Sequence, residues 1–193
     1  MKKSYYLLLL LVVAVFSGCK KEEEDPVDKL FSFDIKNEKG FVATKDEINA
    51  AYAASANGFN FPLPVSGVAG DTEASFQKNN TSTSLVTEVK VREVYLTMPD
   101  NATEDFSFLE KVDIYIATDV NDPNPLLMAY NRAIPTNVGK KLVFTPTDAS
   151  VAKYVKAGTY ALILKDYKMA RQVTSDLSIT ARITYTVTAN PLK

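Results

Sequence analysis

Hydrophobic and polar positions alternate with a period of two over most of this chain. The last segment is the clearest: Leu177, Ile179, Ala181, Ile183, Tyr185 and Val187 alternate with Ser178, Thr180, Arg182, Thr184 and Thr186. Six alternating apolar positions with β-branched neighbours predict a long strand with one wet face. Phe31, Phe33 and Ile35 alternate with Ser32, Asp34 and Lys36 in the same way. Val112, Ile114 and Ile116, with Asp113 and Tyr115 as outward partners, predict another strand. Further strands are predicted near Leu126 to Tyr130, at Leu142 and Phe144, and at Tyr160, Leu162 and Leu164.

Some stretches break the alternation. Leu85, Val86 and Val89 have helix-like spacing, while Val94, Leu96 and Met98 have strand spacing, and Val89 and Val91 are out of phase with the later trio. A bulge or turn near Arg92-Glu93 would let both sets reach one core. Residues 37–84 are the least regular part. They hold a short predicted helix from Asp46 to Ala54, with Ile48 and Tyr52 on one face, and an edge strand of Phe59, Phe61 and Leu63 in which Pro62 cannot donate to a ladder. Asp148 is expected to cap a brief helix that carries Val151 and Val155 and exits through Gly158. Seven to nine strands with hairpin or short-helix connections and no βα alternation imply an all-β domain. The expected architecture is an antiparallel two-sheet sandwich of immunoglobulin-like type with one or two short helices.

The N-terminus follows another rule. Met1-Lys2-Lys3 is positive, and Tyr5 through Phe16 is an uncharged, mostly aliphatic run. As a helix it would reach only about 18 Å, short of the ~20 apolar residues that span a bilayer, so it reads as a signal-peptide core. Small residues, Ser17-Gly18, come next, and then Cys19, the chain's single cysteine. Phe16-Ser17-Gly18-Cys19 resembles the lipobox of bacterial lipoproteins, although Phe16 stands where an aliphatic residue is usual. The resemblance implies cleavage between Gly18 and Cys19, acylation of the Cys19 thiol and of the new amino group, and firm anchoring through several chains. Lys20-Lys21-Glu22-Glu23-Glu24-Asp25 resembles the acidic export tag of surface lipoproteins of the Bacteroidota. The expected organisation is a signal peptide over 1–18, a lipidated charged tether over 19–29 and a single β-sandwich domain over 30–193. Outer-membrane attachment with exposure at the cell surface is the implied location.

Composition narrows the chemistry. Removing residues 1–18 takes Lys2 and Lys3 and leaves 20 basic against 23 acidic residues, a net charge of −3. That balance gives no electrostatic reason to expect nucleic acid as a partner. Histidine is absent, and with it the triad base and the commonest zinc ligand. Tryptophan is absent too, no glycine-rich phosphate loop occurs, and an acylated Cys19 leaves no thiol for a disulfide or a nucleophile. No cofactor and no catalytic residue are expected.

The remaining candidates each have a plain structural explanation. Asp119, Asn121, Asp122 and Asn124 offer oxygen ligands for calcium, but Pro123 breaks the EF-hand pattern, and Asn, Asp and Pro are what a β-turn needs. Tyr95 and Tyr115 fall on outward faces of strands expected to be neighbours, as a ligand-stacking surface or as an ordinary cross-strand pair. Glu110 with Asp113, and Asp100 with Glu104, read as solvated charges rather than as a carboxylate pair for glycoside hydrolysis. Lys153 and Lys156 flank Tyr154 as a small basic spot. The sequence therefore favours a non-enzymatic lipoprotein, held to the membrane at Cys19, whose sandwich serves binding or adhesion, with a glycan or a protein as the partner. The alternatives are a fimbrillin-like structural subunit and, less favoured, a carboxylate-dependent glycan hydrolase.

Overall fold

The computed structural model describes residues 31–54, 61–66 and 72–190; the expected signal segment, Cys19 and the expected tether lie outside them, as do Phe59 and residues 191–193. Among the described residues there are eight strands: β1 (Phe31–Ala43), β2 (Phe61–Ser66), β3 (Val86–Thr97), β4 (Leu109–Ala117), β5 (Leu126–Asn131), β6 (Lys141–Pro146), β7 (Ala161–Met169) and β8 (Leu177–Ala189). They are joined by α1 (Lys45–Ala54), α2 (Thr72–Lys78), α3 (Ala152–Lys156) and a 3₁₀ turn at Phe106–Phe108.

All neighbouring pairs are antiparallel, in the order β1-β8-β3-β6-β5-β4-β7-β2. The β-rich, antiparallel expectation holds, but the strands form one curled sheet rather than two separate ones. The reason lies in β6. Its residues Lys141 to Phe144 pair with β3, and Thr145 and Pro146 then pair with Tyr130 and Ala129 of β5. One short strand thus carries the ladder around the bend. Among the described residues there are three α-helices where one or two were expected.

The alternating positions of β8 face the core, and Leu177 through Ala189 contribute seven buried apolar side chains on one face. β8 lies between β1 and β3, so it completes its own sheet. β1 pairs with β8 along its whole length, Phe31 to Ala189 through Ala43 to Leu177, and extends well beyond the Lys36 reached by the sequence pattern.

The irregular spacing in β3 has a simple cause. Val86 pairs with Ala189 while Glu88 pairs with Thr188, and Val91 pairs with Tyr185 while Glu93 pairs with Thr184. Thr87 and Arg92 are therefore extra residues, the second at the place where the pattern asked for a bulge. Each bulge turns a spacing of two into three, so Val86, Val89, Val91, Val94 and Leu96 are all buried on one face. The helix-like spacing of Leu85 to Val89 is thus a bulged strand.

The helices close the ends of the curled sheet. Thr44 and Glu47 form a reciprocal capping box at the start of α1: the Glu47 carboxylate accepts from the Thr44 N–H at 2.9 Å, and the Thr44 hydroxyl accepts from the Glu47 N–H at 3.3 Å. Ile48 and Ala51 bury against the sheet. Near the other end Phe33 of β1 meets Phe76 of α2 edge-on, with ring centroids 6.3 Å apart. In α3 Val151 and Val155 are buried as expected, and Gly158 leaves the helix with φ 75°. Asp148 does not cap it. Val151 stands at the cap, where its hydrocarbon side chain can accept no bond, and its N–H donates to the Val89 carbonyl of β3 and ties the helix to the sheet.

Candidate functional site

The outer face of β5-β4-β7 gathers the charged and aromatic side chains that the core cannot take. In β4, Val112, Ile114 and Ile116 point inward, and Asp113 and Tyr115 alternate with them. Asp113 pairs in register with Tyr130 of β5 on one side and with Lys165 of β7 on the other. Arg132, just beyond β5, reaches both Asp113 oxygens, Nη2 to Oδ2 at 2.9 Å and Nε to Oδ1 at 3.3 Å. The same guanidinium lies 4.6 Å from the centre of the Tyr130 ring. Asp113 is only 4% exposed, so the expectation of a solvated charge is corrected. The fork of two N–H groups that meets it offsets the cost of burying this side chain.

Two bulges frame Tyr115. Lys111 pairs with Lys168 and Asp113 with Lys165, so Asp166 and Tyr167 together stand opposite Val112. On the other side Ile114 pairs with Ala129 and Tyr115 with Leu127, leaving Met128 extra. The β7 bulge puts Asp166 at φ 50°, a left-handed conformation that costs a non-glycine residue about 1–2 kcal/mol. It sends the next residue, Tyr167, inward, where its hydroxyl donates to the Ala51 carbonyl of α1 at 3.2 Å. Asp166 itself turns outward and accepts from the Tyr115 hydroxyl at 3.3 Å. The Lys165 ammonium lies 5.6 Å from the centre of the Tyr115 ring. Burial first, and then the Asp166 charge, raise the Tyr115 phenol above its usual range, so it stays a neutral donor.

Tyr115, Asp166, Lys165, Arg132 and Tyr130 thus present ring surface, a carboxylate, an ammonium and a guanidinium on one rigid sheet face. Such a set can stack on a flat partner and exchange hydrogen bonds with its hydroxyl or charged groups. A strained residue beside two bulges is also where binding sites tend to lie.

Tyr95 belongs elsewhere. β6 and β5 lie between β3 and β4, so Tyr95 and Tyr115 are not on neighbouring strands. The sequence places the two strands consecutively, but the chain crosses the sheet between them. Tyr95 sits under the Lys141 ammonium at 4.3 Å and beside the Arg182 guanidinium at 5.8 Å, while Glu38 of β1 holds Arg182 bidentately at 2.7 and 3.1 Å.

The acidic turn uses its own oxygens. Asp122 accepts from the Thr118 N–H and hydroxyl and from the Asn124 N–H, and Asp119 accepts from the Asn121 N–H. These bonds, the Thr118 amide first, hold the Asp122 carboxyl down at about 2. Among the described residues no three His, Cys, Asp or Glu side chains converge as a metal site.

The other acids do not converge. Glu110 pairs with Lys168, apart from Asp113 and its Arg132. Asp100 receives Lys140 on its carbonyl. Glu104, read as solvated, is 4% exposed, because one oxygen accepts from the Thr174 N–H and hydroxyl, both at 2.6 Å, and the other from Arg171 at 2.8 Å. Lys156 donates to the Val86 carbonyl, and Lys153 lies 5.3 Å from the centre of the Tyr154 ring.

A cavity of about 60 Å³ between the two arms of the sheet is lined only by apolar groups, among them Phe41, Ile48, Phe106, Tyr167 and Leu177. It offers no polar anchor and is far smaller than the ~300–1,000 Å³ of ordinary ligand pockets.

Arg132, Tyr130, Lys165 and Asp166 did not stand out in the sequence. The one signal was a broken period in β7, where Leu162 and Leu164 are followed by Tyr167 and Met169, a step of three that marks the bulge. Compared with known proteins, the chain matches no family model, no curated protein and no solved structure.

Proposed function

We propose that this chain is a lipid-anchored lipoprotein of the outer membrane, exposed at the cell surface, that binds a partner and does not turn it over. The observation that carries the reading is Phe16-Ser17-Gly18-Cys19 after an apolar run, followed by the acidic stretch Glu22 to Asp25. The domain supports a binding role through its outer face at Tyr115, Tyr130 and Arg132. That face offers stacking surface and hydrogen-bonding charge, the chemistry that suits a hydroxylated ring such as a sugar. The two arms of the curled sheet, facing each other across one core, support reading the fold as a sandwich of immunoglobulin-like kind with its ligand on an outer face.

The anchor is tested by growing expressing cells with labelled palmitate. Wild type takes up label and is cut by external protease, and Cys19→Ala takes up none; label on Cys19→Ala removes the lipoprotein reading. The binding role is tested on a glycan array. A ligand retained by wild type and lost in both Tyr115→Ala and Arg132→Ala supports the face, whereas loss in neither moves binding elsewhere. Turnover of any bound glycan above a heat-killed control overturns the non-enzymatic reading.

A further inference from the structure

The two edges of the sheet are built differently. β2 carries Pro62 and Pro64, neither of which can donate a backbone hydrogen bond. β1 is 13 residues long, contains no proline, and is bonded on one side to β8; among the described residues no strand pairs with its other side, which β2 approaches at a few residues without bonding to it. A long open edge of this kind is a template for another strand. Natural edges are usually blunted by charge, and Lys36, Glu38 and Lys39 are all exposed near the middle of β1. The question is therefore what strand those charges would accept.

We infer that β1 pairs antiparallel with β1 of a second copy about a two-fold axis at Asn37. An isologous contact must keep outer face with outer face, so only registers that set even residues opposite even residues qualify. With the axis at Lys36, Lys36 meets itself and Asp34 meets Glu38. With the axis at Glu38, that carboxylate meets itself. With the axis at Asn37, all 13 residues pair and no like charges meet: each of the pairs Lys36–Glu38, Ile35–Lys39, Asp34–Gly40, Phe33–Phe41, Ser32–Val42 and Phe31–Ala43 occurs twice. Opposite charges and aromatic pairs at directly facing positions stabilise a sheet, and like charges there destabilise it.

The surroundings fit the same occupant. Lys36 makes no ion pair among the described residues, whereas Glu38 is already held by Arg182. A carboxylate accepts several hydrogen bonds, so Glu38 can keep Arg182 and also take the second copy's Lys36. Val42 is 60% exposed and Gly40 has no side chain, so neither obstructs an approaching strand. Phe33 and Phe41 are half-buried against the core, and their remaining ring surface would be covered by the same pairing. The contact closes at two copies and joins two eight-stranded sheets.

The test is sedimentation equilibrium on the full-length protein in detergent. Wild type is expected to show a monomer–dimer equilibrium. Lys36→Glu sets two like-charge pairs in the contact and is expected to weaken dimerisation about tenfold or more, with an unchanged circular dichroism melt. Glu38→Lys should be weakened in the same way. An equimolar mixture of the two variants should dimerise again, because the two acidic positions of one variant then face the two basic positions of the other. Wild type that stays monomeric up to its solubility limit, a polymer in place of a dimer, or a Lys36→Glu variant that dimerises like wild type would each overturn the inference.

Discussion

The phenolic oxygens of Tyr160 and Tyr185 lie 2.7 Å apart, with the rings edge-on at 87°, and the Asn37 amide donates to the Tyr160 oxygen at 3.1 Å. Tyr185 is wholly buried, so the bond to Tyr160 is what satisfies its hydroxyl. Tyr160→Phe is therefore expected to cost about 2 kcal/mol in urea unfolding, since it strands a buried donor. Tyr185→Phe leaves Tyr160 its Asn37 partner and should cost about 1 kcal/mol. Burial raises both phenols, Tyr185 more than Tyr160. Their contribution is complete below about pH 10, the unfolded value, and is lost as pH rises above it. The double Phe variant should flatten the alkaline limb of the stability curve.

Thr81, in the turn between α2 and β3, is buried, and its hydroxyl has no hydrogen-bond partner among the described residues. Thr81→Val keeps the branched shape and removes the unsatisfied group. It is expected to stabilise the protein by about 1 kcal/mol, read as a higher midpoint with unchanged slope in urea.

Glu104 joins the loop before β4 to the loop between β7 and β8 through Thr174 and Arg171. Burial pushes its carboxyl up, but the Thr174 and Arg171 bonds outweigh burial and hold it below its ordinary 4.5. Arg171→Ala leaves a buried carboxylate short of a partner and is expected to cost about 2–3 kcal/mol near pH 7. Because the folded value is depressed, the wild-type contribution is present above about pH 4.5 and is lost as pH falls through the folded value. The gap between wild type and variant should narrow over that window in parallel denaturation curves.

Asp122 tests the acidic turn independently. A ¹³C titration of its carboxyl should give a midpoint of about 2, against an ordinary 3.8. The sign is that of a depressed acid, so the turn keeps its full stabilisation above about pH 4 and loses it as pH falls toward 2. Added calcium that moves this midpoint would show that the carboxylate takes a metal in preference to its backbone donors.

Strands with clean alternation were readable from sequence because each has one buried face, and β8 shows it best. The Arg92 bulge was readable too, since two apolar trios out of phase must reach one core. Three features were hidden for physical reasons. The turn of the sheet at β6 depends on a change of partner within six residues, which leaves no periodic trace. The burial of Asp113 and Glu104 depends on arginines 19 and 67 positions away. The distance between Tyr95 and Tyr115 depends on strand order, which local pattern does not encode. The start of α1 lies between these cases: apolar spacing alone opens the helix at Asp46, and the capping box of Thr44 with Glu47 sets it one residue earlier, at Lys45.

The pairing of β1 with β8 also sets a condition on how the protein is made. One half of the sheet is completed only by β8, the last strand among the described residues, because β8 is the shared neighbour of β1 and β3. Until Leu177 to Ala189 has been delivered, β1 has no seat and β3 lacks one of its two partners. Closing a loop between the first and last strands is a slow, non-local step. The arm of the sheet that holds β1 therefore sets only after β8 has been synthesised, however early β1 itself is made.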